Sequence, residues 1–155
     1  MTNFQTVVLN ASQNRIGHST DFAKQILSGI EFSQINLVDY RVYPLGQSFQ
    51  DDQLDEIVMQ FKSINNLVIT TPVYCSDMPG TLKTFIDRTV DKYREQFSQI
   101  KVTLLVQGNN PAAVISPITN VVANWAERTG MQFIGAVIPE TTEQLQIKIK
   151  SELRQ

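Results

Sequence analysis

A length of 155 residues suits one domain with a full-sized core, spanning 1–155, and 42% hydrophobic with 18% charged residues excludes disorder and fibrous repeats. Thirteen Lys and Arg against fifteen Asp and Glu leave a formal charge of -2, far from the basic balance of a phosphate-backbone binder, so no nucleic acid partner is expected. The longest apolar runs fall short of the roughly 20 residues of a membrane span, no signal-peptide pattern opens the chain, and the single cysteine, Cys75, cannot form an internal disulfide or a metal-ligand cluster; the expectations are a cytoplasmic location, no membrane insertion and no metal.

Residues 6–9 (TVVL) are a short β-branched run, as in a strand covered on both faces. Phe22, Ala23, Ile26, Leu27 and Ile30 then recur at helical spacing. Residues 34–38 (QINLV) predict a second strand, and Asp51 is a plausible N-cap for the amphipathic helix carrying Leu54, Ile57, Val58, Phe61 and Ile64. Residues 66–71 (NLVITT) predict the third strand, and Leu82, Phe85, Ile86 and Val90 the third helix. Residues 101–106 (KVTLLV) predict the fourth strand. A long polar connection, QGNNPAAVISP, follows, then a helix with Ile118, Val121, Val122 and Trp125 that stops at Gly130. Residues 132–138 (QFIGAVI) predict the fifth strand. In the tail, Leu145, Ile147 and Ile149 alternate as in a strand while Leu145, Ile149 and Leu153 fit a helix; the Glu, Gln, Lys and Leu content favours helix.

Five apolar strands alternating with five helices predict right-handed βαβ units: a parallel sheet with helices on both faces. Ligands of such sheets bind outside the carboxyl ends of the strands, at the switch point in strand order. The informative loops are therefore 10–19, 72–80 and 107–114.

The first loop, ASQNRIGHST, offers Ser12, Asn14, Arg15, His18, Ser19 and Thr20, with Gly17 permitting a tight turn at a helix start. A helix N-terminus carries unpaired amides and partial positive charge, so the loop can cradle a phosphate. Both the G-x-x-x-x-G-K-[ST] and the G-x-G-x-x-G patterns are absent, which points to a monophosphate. The alternative is that Ser19 or Thr20 caps the helix over a solvated turn. In the second loop Pro72 ends the strand, Asp77 can cap the next helix and Pro79 fits its first turn. Val73, Tyr74, Cys75 and Ser76 lie between, with Tyr74 and Met78 able to supply aromatic or apolar contact to a flat ring, or simply to cover the sheet end.

TPVYCSDMPGTLKTFIDR, residues 71–88, together with ASQNRIGHS, residues 11–19, resembles the NADPH-dependent FMN reductase-like family of flavodoxin-fold flavoproteins. The match to a TPVYxxxxxGxLKxFIDR pattern is close. The first loop departs from the family's GSPRxxGxT pattern, with Ala11 for the first glycine, Gln13-Asn14 for Pro-Arg and an arginine one position later, at Arg15. The cysteine pair that some relatives use for an iron–sulfur cluster is missing from the segment between Asp39 and Ser48. The resemblance implies an α/β flavodoxin-like three-layer sandwich with a five-stranded parallel sheet of order 2-1-3-4-5. It implies FMN, its phosphate at Ser12, Asn14, Gly17, His18 and Ser19, and its ring against Pro72, Val73, Tyr74, Cys75 and Met78. Gln107, Gly108 and Asn109 would close the ring's other side, and backbone amides from Val73 to Ser76 would meet its N5 and O4 edge.

The implied activity is an oxidoreductase of the flavin or quinone reductase type, passing hydride from NADPH or NADH to FMN and on to a small acceptor such as a quinone or flavin. No catalytic side chain is required, because the flavin carries the chemistry. Cys75 is then a contact or a bystander. A homodimer is expected, as for related proteins. The competing reading is a flavodoxin-like electron carrier without its own nicotinamide turnover, against which the charge of -2 argues, since carriers usually present a strongly acidic face.

Overall fold

A computed structural model of the chain describes residues 5–141 and 143–155. The strands are β1 (Thr6–Asn10), β2 (Phe32–Asn36), β3 (Asn66–Pro72), β4 (Lys101–Gln107) and β5 (Gln132–Val137). The helices are α1 (His18–Ile26), α2 (Leu54–Met59), α3 (Gly80–Thr89), α4 (Arg94–Phe97), α5 (Pro111–Thr129) and α6 (Glu143–Leu153). All strand pairs are parallel, in the order β2-β1-β3-β4-β5. This is the parallel α/β arrangement expected from the strand and helix pattern, in the flavodoxin-like order that the family resemblance implies.

Every residue of β3 is buried, as an apolar run without alternation predicts for a central parallel strand. Val8, Val68, Leu105 and Val137 face α1 and α6, where they meet Phe22, Ile26, Ile149 and Leu153. On the other face Val7, Leu9, Leu67, Ile69, Leu104 and Val106 pack beneath α2, α3, α4 and α5. Phe61, Phe85, Phe97 and Trp125 interlock there with ring centroids 5.4 to 6.1 Å apart, distances at which tilted and edge-on aromatic pairs attract. The Trp125 indole N–H donates to Thr89 Oγ1 at 2.9 Å, so the large ring is buried without an orphaned donor.

Several boundaries differ from those expected. β2 runs two residues earlier, because its partner β1 ends at Asn10, opposite Asn36, leaving no ladder for Leu37 and Val38. Those two form a 3₁₀ turn, Leu37–Asp39. Helix α2 stops at Met59 although Phe61 and Ile64 remain buried beyond it, and Gln53 rather than Asp51 stands at its N-cap. The carboxylate of Asp52 accepts the Leu54 N–H at 3.0 Å. The short helix α4 was not foreseen. Helix α5 begins at Pro111, where the missing N–H costs nothing, so the polar connection shrinks to residues 108–110 and Pro117 lies inside the helix. The tail is helical, as α6.

The segment from Tyr40 to Gln53 is pinned to α3 by one side chain. Arg88 Nη1 donates to Asp52 Oδ2 at 2.7 Å and to the Tyr43 carbonyl, with both ionic side chains only 17% exposed. The motif acid next to Arg88, Asp87, pairs along the helix surface with Lys83. Burial alone pushes the Asp52 carboxyl up, but the Arg88 hydrogen bond and the amides of Leu54 and Tyr43 outweigh it and hold the carboxyl below its ordinary value.

Three stability predictions follow from this packing. Thr103 Oγ1 is buried with no hydrogen-bond partner among the described residues, so Thr103→Val, which keeps the shape and removes the orphan, should raise stability in urea denaturation by about 1 kcal/mol. Arg88→Met should lower it by about 2 kcal/mol, since it strands the Asp52 carboxylate and the Tyr43 carbonyl. Because Asp52 has a depressed folded value, its contribution is present above its unfolded pKa of about 4 and is lost as pH falls through the folded one. The acid limb of stability against pH should therefore be shallower in Asp52→Asn.

Candidate functional site

β1 lies between β2 and β3, and the chain leaves β1 and β3 on opposite faces: α1, after β1, on the face shared with α6, and α3, after β3, on the other. A crevice opens where the loops after β1 and β3 diverge, the place where such sheets take ligands. The two strands stay tied to the last residue, for the Ala11 N–H donates to the Thr70 carbonyl at 3.0 Å.

The first loop turns because side chains replace the ladder. Asn10, at 0% exposure, accepts the Ser12 N–H on Oδ1 at 3.1 Å, and Ser12 Oγ accepts the Asn14 N–H at 3.1 Å. The Gln13 N–H donates to the Tyr74 hydroxyl at 3.1 Å, and the Gly17 N–H to Thr20 Oγ1 at 3.0 Å. Helix α1 therefore starts at His18 with Gly17 as its N-cap, not at Ser19 or Thr20; Thr20 reaches back to satisfy Gly17 instead. With that of Ala11, five loop amides are thus spent inside the protein. Those of Arg15, Ile16, His18, Ser19 and Thr20 have no acceptor among the described residues. Arg15 is held away by its ion pair with Asp39, Nε to Oδ1 at 2.6 Å. The loop consequently offers an anion its backbone amides and the α1 terminus.

In the second loop, Tyr74 and Asp77 exchange backbone hydrogen bonds of 2.8 and 3.0 Å around Cys75 and Ser76. Both corner residues have positive φ, 49° and 62°, the mirror-image turn geometry that normally calls for Asn or Gly. The Val73 N–H goes to the Gln107 carbonyl and the Met78 N–H to Asp77 Oδ1, so the amides of this stretch without an acceptor among the described residues narrow from residues 73–76 to Cys75 and Ser76. Asp77 caps Met78 and not the helix; Pro79 is the N-cap and Gly80 the first residue of α3. The Met78 side chain, 7% exposed, is a member of the core.

The third loop leans on the second. Gly108 has φ 130°, and a Cβ there would lie 3.2 Å from the Val73 nitrogen, so the glycine serves the contact between loops. Gln107 Nε2 donates to Ser19 Oγ at 2.9 Å, linking this loop to α1. Between the second and third loops a cleft of about 300 Å³ is lined by Val73, Cys75, Ser76, Asn109, Asn110 and Val114, within the usual range for small-ligand sites of roughly 300 to 1,000 Å³. On the far side of Tyr74 a smaller notch of about 180 Å³ is lined by Ala11, Ser12, Val38 and Pro79. A hollow of about 440 Å³ around Lys62, Ser63, Glu95 and Gln96 lies at the opposite, amino edge of the sheet.

Of the residues expected to form a site, Ser12, Asn14, Gly17, His18 and Ser19 occupy one loop, and Val73, Tyr74, Cys75, Gln107, Gly108 and Asn109 gather beside it. Ser19 is 2% exposed, with its hydroxyl accepting from Gln107. Pro72 is buried as the last residue of β3. The sequence reading missed Asn10, Gln34 and Asn36, which bond one another and the loop. The signal available was polar Gln34 and Asn36 two apart on a predicted strand, hence on one face.

The sequence of residues 5–138 matches the model of the family described as NADPH-dependent FMN reductase. The chain belongs to that family. A Bacillus subtilis (strain 168) protein named for NAD(P)H-dependent, FMN-containing oxidoreductase activity, YwqN, is 27% identical over 150 residues, covering 86% of this chain and 83% of that one. Among solved structures, the Trp repressor binding protein from Bacillus subtilis aligns at 24% identity over 96% of this chain and 95% of its own, with a TM-score of 0.69. The apo form of an NADH:FMN oxidoreductase, EMOB, aligns at 15% identity over 98% and 87%, with a TM-score of 0.72. These two likenesses establish the fold. As a member of the NADPH-dependent FMN reductase family the chain is an oxidoreductase, and no helix among its described residues is long and apolar enough to cross a membrane.

The left-handed corner of the second loop can be tested directly. Ser76→Gly removes the Cβ penalty of positive φ, and against the larger backbone entropy of glycine the net gain should be up to about 1 kcal/mol in urea denaturation; the same change at a right-handed loop position would destabilise.

Proposed function

We propose that this chain holds FMN at the carboxyl edge of its sheet and uses it to pass hydride from NADPH or NADH to a small acceptor of the quinone or flavin kind. The observation that carries the reading is the donor set of the first loop. Five amides without protein acceptors, three of them at the start of α1, suit a phosphate monoester, which brings two negative charges and several acceptor oxygens. The chemistry of the second loop fits the ring: the free amides of Cys75 and Ser76 border a cleft of fitting size, where Val73 and Val114 supply apolar contact.

In this reading the phosphate belongs with Arg15, Ile16, His18, Ser19 and Thr20 through their amides and with Ser12 and Asn14 through their side chains. The ring belongs between Val73, Cys75 and Ser76 on one side and Asn109 on the other. When bound, FMN supplies the two-electron chemistry, accepting hydride from a nicotinamide and reducing the acceptor. The residues bind, orient and exclude water; the amides of Cys75 and Ser76 offer fixed dipoles where ring charge changes, and fixed dipoles need no reorganisation during reaction. Tyr74 spans the loops through its hydroxyl bond to Gln13 and holds the phosphate and ring segments at a set separation. The reading includes a homodimer, for which exposed Ile16, Leu45 and Phe49 offer apolar surface.

Purified protein titrated with FMN should quench flavin fluorescence, and FMN at about a thousand times its dissociation constant should raise stability by roughly 4 kcal/mol. The loaded protein should consume NADPH or NADH steadily when a quinone or excess flavin is supplied. A flat melting temperature at high FMN would defeat the reading. Flavin binding without nicotinamide turnover would leave the electron-carrier alternative in its place.

A further inference from the structure

In a trans peptide unit the carbonyl and the following N–H point to opposite sides of the chain. A side chain that captures a carbonyl therefore aims the next amide. The Asn14 carbonyl accepts a hydrogen bond from Asn10 Nδ2 at 2.9 Å, and the Arg15 carbonyl accepts one from Gln34 Nε2 at 3.0 Å. These captures turn the N–H groups of Arg15 and Ile16 away from the amide side chains. They are two of the five loop amides without an acceptor among the described residues.

The two capturing side chains share an anchor. Asn36 Oδ1 lies 3.0 Å from Asn10 Nδ2 and 2.6 Å from Gln34 Nε2, and accepts from both. Which end of the Asn36 amide faces them is decided by Asp39, whose ionised carboxylate can only accept and draws Asn36 Nδ2 to its Oδ2 at 3.3 Å. Orientation is thus passed on in steps: Asn36 donates to Asp39 and accepts from the NH2 groups of Asn10 and Gln34, and those same NH2 groups donate to the two loop carbonyls. Strand register makes this possible: Asn36 is directly opposite Asn10, and Gln34 lies two residues earlier on the same face of β2. The second oxygen of Asp39 binds the Arg15 guanidinium, which keeps that cation out of the donor set while its own backbone amide stays in it.

We propose that Asn10, Gln34 and Asn36 form one positioning unit that aims the Arg15 and Ile16 amides at a phosphate monoester and so sets the preference for a phosphorylated flavin over an unphosphorylated one. This rests on the reading of the first loop given above. The three side chains touch no reacting atom in this scheme; they act through the backbone they hold. A cluster that merely closed the edge of the sheet would affect both flavins alike.

The test titrates FMN and riboflavin against the wild type, Gln34→Leu and Asn36→Leu, with both substitutions on the partly exposed face of an edge strand. Wild type should prefer FMN, and each variant should lose at least about tenfold in FMN affinity, the worth of one hydrogen bond to a charged group, with riboflavin affinity unchanged. In ¹⁵N–¹H spectra the Arg15 and Ile16 amides of the wild type should move downfield with FMN and stay in place with riboflavin. An unchanged ratio of FMN to riboflavin affinity in folded variants, or Arg15 and Ile16 amides that do not respond to FMN in the wild type, overturns the positioning role while the flavin reading stands. A wild type that binds neither flavin, or both equally, overturns the phosphate reading and this inference together.

Discussion

At Asn10 the ladder of β1 runs out, and from there each backbone N–H and C=O must find a partner elsewhere or face water. Asn10 takes over that task with a side chain buried to 0% exposure, bonding Ser12, Asn14 and Asn36 at once. Replacing the ladder by side chains lets the chain turn sharply. It also selects which amides are spent and which remain for a ligand. Much of the character of the carboxyl edge descends from that selection.

The three loops of that edge form a tied set. Tyr74 joins the second to the first, the Val73 amide joins the second to the third, and Gln107 joins the third to the start of α1. Thr70, inside the central strand, donates to the Ser19 carbonyl at 2.7 Å and anchors the same helix terminus to the sheet. Such cross-bracing suits a cofactor enzyme, whose protein contributes position and fixed dipoles while the cofactor contributes reactivity. The ion pair of Arg15 with Asp39 fits the same economy of charge, since it occupies the loop's guanidinium and leaves the loop's directed N–H groups as its donors.

The fold was legible because burial on both faces leaves β-branched and aliphatic runs that no amphipathic helix imitates, and TVVL, NLVITT and KVTLLV read directly as central strands. Legibility failed at the ends of elements. Leu37 and Val38 look like strand but lack a partner once β1 stops, and Pro111 looks like a breaker but sits where a helix tolerates it. The loops carrying the family motif were legible as neighbours at the carboxyl edge of the sheet. Their inner wiring was not, because Ser12, Tyr74 and Gly108 were read toward a ligand, whereas each first satisfies another part of the protein.

Sequence alone determined the alternation of strand and helix and kinship with the flavin reductases, because apolar periodicity and a contiguous motif are local properties of the chain. Tertiary structure decided which amides of that edge are free, since this depends on residues up to 61 positions apart, such as Gln13 and Tyr74, meeting through the register of neighbouring strands. A hydrogen-bond donor has no identity as free or spent until the fold has chosen its neighbours.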